Sequence, residues 1–165
     1  MAGFTIRRAT DADGDAIYTL FRAVARDGLA FMHEEADVQR GPLLAKWLNP
    51  EYLTYVAELV DGRIGGAYCV LPNQPGRGRH VANATYMVAE AVRGQGIGRA
   101  LGLHSLDMAR AAGFDAMQFN AVISTNTAAV DLWRGLGFAV IGTVPGGFRQ
   151  PDGRCVDVYI MHRAL

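Results

Sequence analysis

Residues 88–101, with the sequence VAEAVRGQGIGRAL, decide the fold of this chain. A run typical of a buried strand, residues 80–88, leads into this stretch. An amphipathic helix pattern starts at Ile97 and repeats on one face as far as Met108. We therefore expect a strand, a glycine-rich turn and a helix in direct succession.

Three glycines, Gly94, Gly96 and Gly98, make this turn unusual. Glycine has no Cβ, so a ligand can approach the backbone closely. The start of a helix leaves N–H groups unpaired and carries about half a positive charge. Together these features predict an anion site, most often one for phosphate. A tight turn without a ligand is the alternative.

The spacing of the glycines indicates which of the known phosphate-binding loops this turn resembles. Leu101 stands where the dinucleotide fingerprint needs a third glycine after Gly96 and Gly98, and no Gly-Lys-Ser/Thr ends the loop as in a P-loop. The spacing Arg93-x-x-Gly96-x-Gly98 instead resembles the pyrophosphate-binding motif of the GNAT family, the acyl-CoA-dependent N-acetyltransferases.

Length and composition narrow the function further. A chain of 165 residues is expected to form one domain, residues 1–165. The sequence is 50% hydrophobic with a formal net charge of zero, which argues against disorder and against a basic surface for nucleic acid. Small molecules are the expected ligands.

Predictions of localisation and metal binding rest on the absence of long apolar runs and of paired cysteines in the sequence. Charged residues follow the start of the chain closely and no apolar run reaches about 18 residues, so we expect neither a signal segment nor a membrane span. The chain is predicted to be cytoplasmic. Cys69 and Cys155 stand alone, so a metal site is not expected and both thiols are predicted to be reduced.

The remaining patterns alternate between strands and helices. Strands are predicted at residues 4–8, 53–59, 64–71, 80–88, 116–124, 138–144 and 154–162. Helices are predicted from a cap at residues 10–13 through Leu29, at residues 42–48, from Ile97 to Ala112, and from Asn126 to Gly137. Because a helix connects them, strands 80–88 and 116–124 are expected to be parallel neighbours.

A second motif strengthens the resemblance. Asn126-x-x-Ala129-x-x-Leu132-Trp133-x-x-x-Gly137-Phe138 resembles the second GNAT motif and follows the first in the family's order. The resemblance implies an α/β GNAT fold, with a mixed six- or seven-stranded sheet, splayed central parallel strands and helices on both faces. It also implies that acetyl-CoA enters the opening between those strands as acetyl donor, without a metal.

The resemblance also implies the donor's contacts. Met87 and Val88 would hold the acetyl and pantetheine arm through their backbones. The pyrophosphate would lie against Arg93, Gly94, Gln95, Gly96, Ile97 and Gly98. Trp133 stands where many members have a tyrosine, proposed as the acid for the departing thiolate, and an indole N–H has no usable acidity. We expect Trp133 and Asn126 to lie along the cofactor arm, and the general acid remains open.

Three asparagines, Asn83, Asn120 and Asn126, give a closer resemblance, to N-acetyltransferases that act on proline analogues such as azetidine-2-carboxylate. There they contact substrate or steady the acetyl carbonyl, so they are the candidate catalytic residues. An asparagine on each of two adjacent strands also needs polar partners, which a cleft would supply. Hydrogen bonds within the fold for Asn83 and Asn120, and a simple helix cap for Asn126, are the alternatives.

The implied reaction is attack of a neutral amine on a thioester. The Val88 N–H and an asparagine side chain could receive the developing oxyanion. No residue stands out as the base; Glu90, Tyr86 and His80 are candidates whose alternative is a structural or solvated role.

Two further regions could contact the acceptor. The polar segment with His33, Glu34 and Glu35 could reach a substrate amine, or could be a solvated turn. Arg149, in the final glycine-rich hairpin, could receive a substrate carboxylate by a bidentate bond.

Three functions are compatible with these motifs. The first is acetylation of a small-molecule amine, such as an amino acid or a toxic proline analogue. The second is acetylation of protein or peptide amines, and the third is acyl-CoA binding without catalysis, suggested by the missing tyrosine. Family members are often dimers, so a homodimer is also open.

Overall fold

The computed structural model describes residues 3–165; residues 1 and 2 of the predicted domain lie outside the described part. The strands are β1 Phe4–Arg8, β2 Leu53–Leu59, β3 Ile64–Pro72, β4 Val81–Val88, β5 Ala116–Ile123, β6 Ala139–Arg149 and β7 Cys155–Ala164. The helices of more than one turn are α1 Gly14–Asp27, α2 Arg40–Trp47, α3 Ile97–Ala111 and α4 Thr127–Gly135.

The strands form one seven-stranded mixed sheet in the order β1-β2-β3-β4-β5-β7-β6. The pair β4–β5 is parallel, and the other neighbours are antiparallel. This is the arrangement predicted for the two strands that the glycine turn and α3 connect.

The two parallel strands separate soon after they begin. Among residues 3–165, the pairing of β4 with β5 is limited to Val81–Ala116 and Ala82–Met117. β4 then stays paired with β3 as far as Val88, while β5 stays paired with β7. A slot therefore opens between them towards their carboxyl ends, which confirms the predicted splay.

Helices cover both faces of the sheet, as predicted. Ile17 of α1 and Trp47 of α2 are buried on one face, against residues that include Met87. Leu101 of α3 and Trp133 of α4 are buried on the other face. No helix within residues 3–165 has the length and apolar character needed to cross a bilayer.

The final hairpin differs from the sequence prediction. Residues 145–153 were expected to be a connection, but β6 continues to Arg149. A register shift between Val144 and Phe148 accommodates Gly146 at φ 60°, and the Gly146 N–H donates to Asp157 Oδ1 at 2.9 Å. The glycines bend the strand without ending it, because the partner strand supplies a hydrogen bond at the bend.

The end of the first helix also differs. Leu29 was expected to face the core, but its side chain is 51% exposed. α1 ends at Asp27, and Gly28 takes the left-handed conformation at φ 64°, which turns the chain away from the helix face.

Candidate active site

The glycine turn presents a row of free backbone N–H groups. Within residues 3–165 no backbone carbonyl accepts a hydrogen bond from the N–H groups of residues 94–99, and the Ala100 N–H donates to Gly96 O at 3.0 Å. Gly94 and Gly96 have φ values of 76° and 87°, and a Cβ on either would meet nothing within 4 Å. We call residues 94–99 the amide cradle; its donors and the start of α3 suit a diphosphate.

Arg93, directly before the amide cradle, is paired with the end of α1. Its guanidinium donates to Asp27 Oδ2 at 2.8 Å, with side-chain exposures of 49% and 37%. Arg93 is therefore beside the cradle, but a carboxylate competes for its charge.

Removing that carboxylate should favour an anionic ligand. We expect Asp27→Asn to tighten coenzyme A binding about threefold, which is the size typical of an exposed ion pair. In the variant, Arg93 would not have to break its ion pair with residue 27 in order to contact the diphosphate. Titration calorimetry measures the Kd. Asp107→Asn is the matched control, since Asp107 is paired with Arg110 on the exposed side of α3. Weaker binding by Asp27→Asn would contradict a role for Arg93 towards the ligand.

The edge of β4 that faces the slot carries unpaired backbone groups. The Ala89 N–H donates to Gly65 O of the β3 side at 2.9 Å. Backbone groups of successive strand residues point to alternate sides, so those of Met87 face β3 and those of Tyr86 and Val88 face the slot. Of the predicted pair Met87 and Val88, Val88 is the residue whose N–H is directed into the opening.

A cavity of about 490 Å³ lies between this slot and the α1–α2 side of the sheet. Four predicted site residues line it together: Asn83, Asn120, Asn126 and Trp133. Arg149 does not belong to its lining, and its Nη1 donates to Gly153 O at 3.1 Å within its own hairpin.

The Asn83 side chain is anchored at one end. Its Oδ1 accepts from the Ala84 N–H at 2.8 Å, which is a backbone group on the slot side of β4. This bond fixes the amide and leaves the Nδ2 as a donor for a ligand. A hydrogen bond within the fold, which was the alternative predicted for Asn83, is therefore present, but it occupies only the side-chain oxygen Oδ1.

Asn120 lies at a bulge of β5. The register passes from Phe119–Met161 to Val122–Tyr159, so β5 has one extra residue there and Asn120 is exposed. Its Oδ1 accepts from Gln118 Nε2 at 2.9 Å and its Nδ2 donates to Asn73 Oδ1 at 2.7 Å.

Asn126 caps the helix that follows. Its Oδ1 accepts from the Ala129 N–H at 3.2 Å, which is the structural role predicted as the alternative. Asn126 nevertheless lines the cavity, so capping and contact with a ligand are compatible.

Trp133 is packed among aromatic rings. It is 7% exposed, and its ring lies 4.6 Å from that of Tyr86 and 4.7 Å from that of Phe119. The indole therefore contributes an apolar wall, which agrees with the expectation that it packs along a ligand.

Two of the predicted side chains are engaged within the fold. Tyr86, a candidate base, has its Oη 2.7 Å from Ser105 Oγ, and burial raises the pKa of Tyr86. For Glu35, which was expected to reach a substrate amine, hydrogen bonding to Arg26, with the charge of Arg22, lowers the pKa to about 2.

His104, expected on the helix stripe of α3, lies in a separate polar contact. Its Nδ1 is 2.8 Å from Tyr68 Oη, and burial lowers the pKa of His104. Of the other candidates, His33 lines the cavity, whereas Glu34, Glu90 and His80 do not.

Apart from His33, the residues that line the α1–α2 side of the cavity were not predicted from the sequence. They include Phe21, Phe31, Lys46 and Trp47 from the α1–α2 part of the chain. One signal was available in the sequence. Lys46 is the only lysine, and every other side chain with a permanent positive charge is an arginine.

Comparison with known proteins agrees with the fold. The sequence model of the acetyltransferase (GNAT) family matches residues 15–138, so the chain belongs to this family. Members of the family are acyltransferases, and the predicted family and enzyme class are confirmed.

Individual relatives cover different shares of the chain. A GCN5-related N-acetyltransferase from Kribbella flavida is 43% identical with a TM-score of 0.93, and 98% of each chain is covered. The acetyltransferase yncA from Salmonella typhimurium, solved with its cofactor acetyl-CoA, is 27% identical with a TM-score of 0.87, covering 99% of this chain and 95% of that one. N-acetyltransferase aca1 of Schizosaccharomyces pombe is 37% identical over 97 residues, which are 58% of this chain and 46% of aca1. This chain thus spans about half the length of that curated relative.

Proposed function

We propose that this chain is an acetyl-CoA-dependent N-acetyltransferase that acts on a small-molecule amine. The observation that carries the proposal is one continuous opening with three chemically distinct parts. The amide cradle is rich in donors, the β4 edge offers the free backbone groups of Tyr86 and Val88, and the cavity beyond has an aromatic and amide lining.

The residues present fit acetyl-CoA. The N–H groups of residues 94–99 would hold the diphosphate, with Arg93 beside them, and the Val88 N–H would hold the extended arm through a strand-like hydrogen bond. Trp133 and Asn126 would lie along the arm. When bound, acetyl-CoA supplies a thioester carbonyl as the electrophile.

The chain's own contribution to the reaction is positioning and charge stabilisation. The Val88 N–H is the donor available for an oxyanion in the slot. Asn83 lies about 16 Å from Val88 along β4, so its Nδ2 would contact the acceptor instead. The cavity would hold the amine facing the slot. A volume of about 490 Å³ suits a small acceptor.

A change at Asn83 tests this assignment. We expect Asn83→Asp to lower kcat about a hundredfold, because the carboxylate can still accept from the Ala84 N–H but offers no donor to position the acceptor at the thioester. Steady-state kinetics measures the loss, and an unchanged Tm shows that the fold is kept. Asn49→Asp, at an asparagine outside the cavity lining whose Oδ1 likewise accepts from a backbone N–H, that of Glu51, serves as the control. Equal kcat values for Asn83→Asp and the unaltered protein would remove Asn83 from the proposal.

The acceptor class is tested by release of the coenzyme A thiol with a panel of amines. Turnover of azetidine-2-carboxylate or another free amino acid supports the small-amine function. Turnover of peptide amines alone would support a protein or peptide acetyltransferase, and binding without turnover would support an acyl-CoA-binding module.

The proline-analogue specificity and the homodimer belong to the same proposal. The specificity is supported by Asn83, Asn120 and Asn126 lining one cavity. A dimer is supported by the edge position of β6, on which Ile141 and Val144 are 58% and 44% exposed. The predicted cytoplasmic location stays a prediction.

A further inference from the structure

The lining of the acceptor cavity includes one permanently charged cation, on the exposed residue Lys46. Among its lining residues Lys46 is the single lysine or arginine side chain, and it lies on α2, opposite the β4–β5 slot. Within residues 3–165 no carboxylate lies within 4 Å of its ammonium group, whereas Arg40 on the same helix is paired with Asp15 at 2.6 Å. An ammonium without a partner at the wall of a cavity is a ready receptor for an anion.

The floor beside Lys46 is aromatic. Phe21 lies at the centre of this floor, with its ring 4.7 Å from that of Phe31 and 6.3 Å from that of Trp47. Trp47 follows Lys46 directly in the chain and is 1% exposed, so the base of α2 is held firmly in the core. The cavity therefore combines a compact apolar surface with a cation at its wall.

The opposite side of the cavity is uncharged. Asn83 and Asn120, from the two splayed strands, offer amide groups but no charge.

Asp37 is the one carboxylate of the lining, and it lies more than 4 Å from the Lys46 ammonium. Its negative charge would repel a second carboxylate on the acceptor.

From this arrangement we infer that the acceptor is a free amino monocarboxylic acid with a compact apolar body, and that Lys46 binds its carboxylate. The acceptor amine then faces the slot between β4 and β5, and its apolar carbons contact Phe21, Phe31 and Trp47. The inference rests on the proposed N-acetyltransferase function and names its acceptor class. It gives Lys46 the role that the sequence had suggested for Arg149, which lies outside the cavity lining.

Kinetics with paired acceptors tests the inference. The unaltered protein should have a KM for azetidine-2-carboxylate about tenfold below that for its carboxamide, the difference expected for one partly exposed charged hydrogen bond. Lys46→Met should raise the KM for the acid to that of the carboxamide, so that the preference for the acid is lost. Lys46→Arg should keep most of the preference because it keeps the charge.

The controls distinguish an effect of Lys46 itself from a general effect of removing a positive charge. Arg40→Met removes a cation from the same helix outside the cavity lining, and it should leave the preference for the acid intact. A second measurement uses the fact that Lys46 is the only lysine. N-acetylproline should protect Lys46 from an amine-reactive reagent, as judged by peptide mass, and N-acetylprolinamide should not.

The possible results distinguish the role of Lys46 from the proposed N-acetyltransferase function. Equal KM values for acid and carboxamide, or an unchanged preference in Lys46→Met, would overturn the role of Lys46 while leaving an N-acetyltransferase. Absence of coenzyme A release with every amine tested would overturn the proposed function itself.

Discussion

Gly98→Asp is expected to abolish cofactor binding while leaving the fold intact or slightly more stable. A Cβ at Gly98 would lie 3.6 Å from Leu132 Cδ2 and 3.7 Å from Val88 Cγ2, which are ordinary contacts. An aspartate in the first turn of α3 also interacts favourably with the helix dipole. The same carboxylate stands beside the amide cradle, where it would repel a diphosphate.

The expected size follows from Coulomb's law. Two like charges a few ångströms apart near a protein surface cost about 3 kcal/mol or more, so the Kd for coenzyme A should rise at least about a hundredfold. Titration calorimetry measures the Kd, and thermal unfolding measures the Tm. Gly98→Asn has nearly the same shape without the charge, so it should weaken binding far less. Binding of coenzyme A by Gly98→Asp at unchanged affinity would mean that the diphosphate does not lie in the cradle.

Trp133→Ala is expected to have the largest effect on stability. Removing a buried Trp side chain that contacts Tyr86, Phe119 and Phe138 should lower the free energy of unfolding by about 3–5 kcal/mol and the Tm by roughly 10 °C. Acetyl transfer should fall with it, because the wall of the slot collapses or fills with water.

Trp133→Phe separates packing from chemistry. It keeps an aromatic ring in the cluster but removes the indole N–H, so kcat should stay within about threefold of the unaltered value. Thermal unfolding and steady-state kinetics on the same preparations provide both readouts. A loss of kcat in Trp133→Phe as large as that in Trp133→Ala would show that the indole N–H has a chemical role.

The amide cradle was predictable because its chemistry is local. A strand pattern, glycines at positions 94, 96 and 98, and a helix stripe from Ile97 specify the turn without knowledge of the rest of the chain. The structure adds that Gly94 and Gly96 take left-handed conformations, which explains why glycine is needed there.

The slot was predictable only through the family resemblance. The length of β4 and β5 suggests full pairing, since each strand has eight residues. Their separation after Ala82 depends on how β5 pairs with β7 and on the bulge at Asn120, which are long-range features. No local pattern in the sequence encodes them.

The aromatic wall of the acceptor cavity was not predictable from residue patterns, although a cleft beside Asn83 and Asn120 was. Phe21 and Trp47 look like ordinary core residues on helix faces, and Trp47 is indeed buried. Which core residues also line a cavity depends on how α1 and α2 sit over the sheet. Arg149 is the reverse case, because a glycine-rich hairpin suggested a binding loop, whereas the strand continues through it and Arg149 lies outside the cavity lining.

The short pairing of β4 with β5 has a consequence for the energetics of the whole domain. The two halves of the sheet share few backbone hydrogen bonds, and the ring of Tyr86 on β4 lies 5.8 Å from that of Phe119 on β5. A donor molecule lying along the free edge of β4 would act as a substitute strand and complete the sheet. Affinity for that molecule and resistance to unfolding are then thermodynamically linked, so selection for tight donor binding also stabilises the native state.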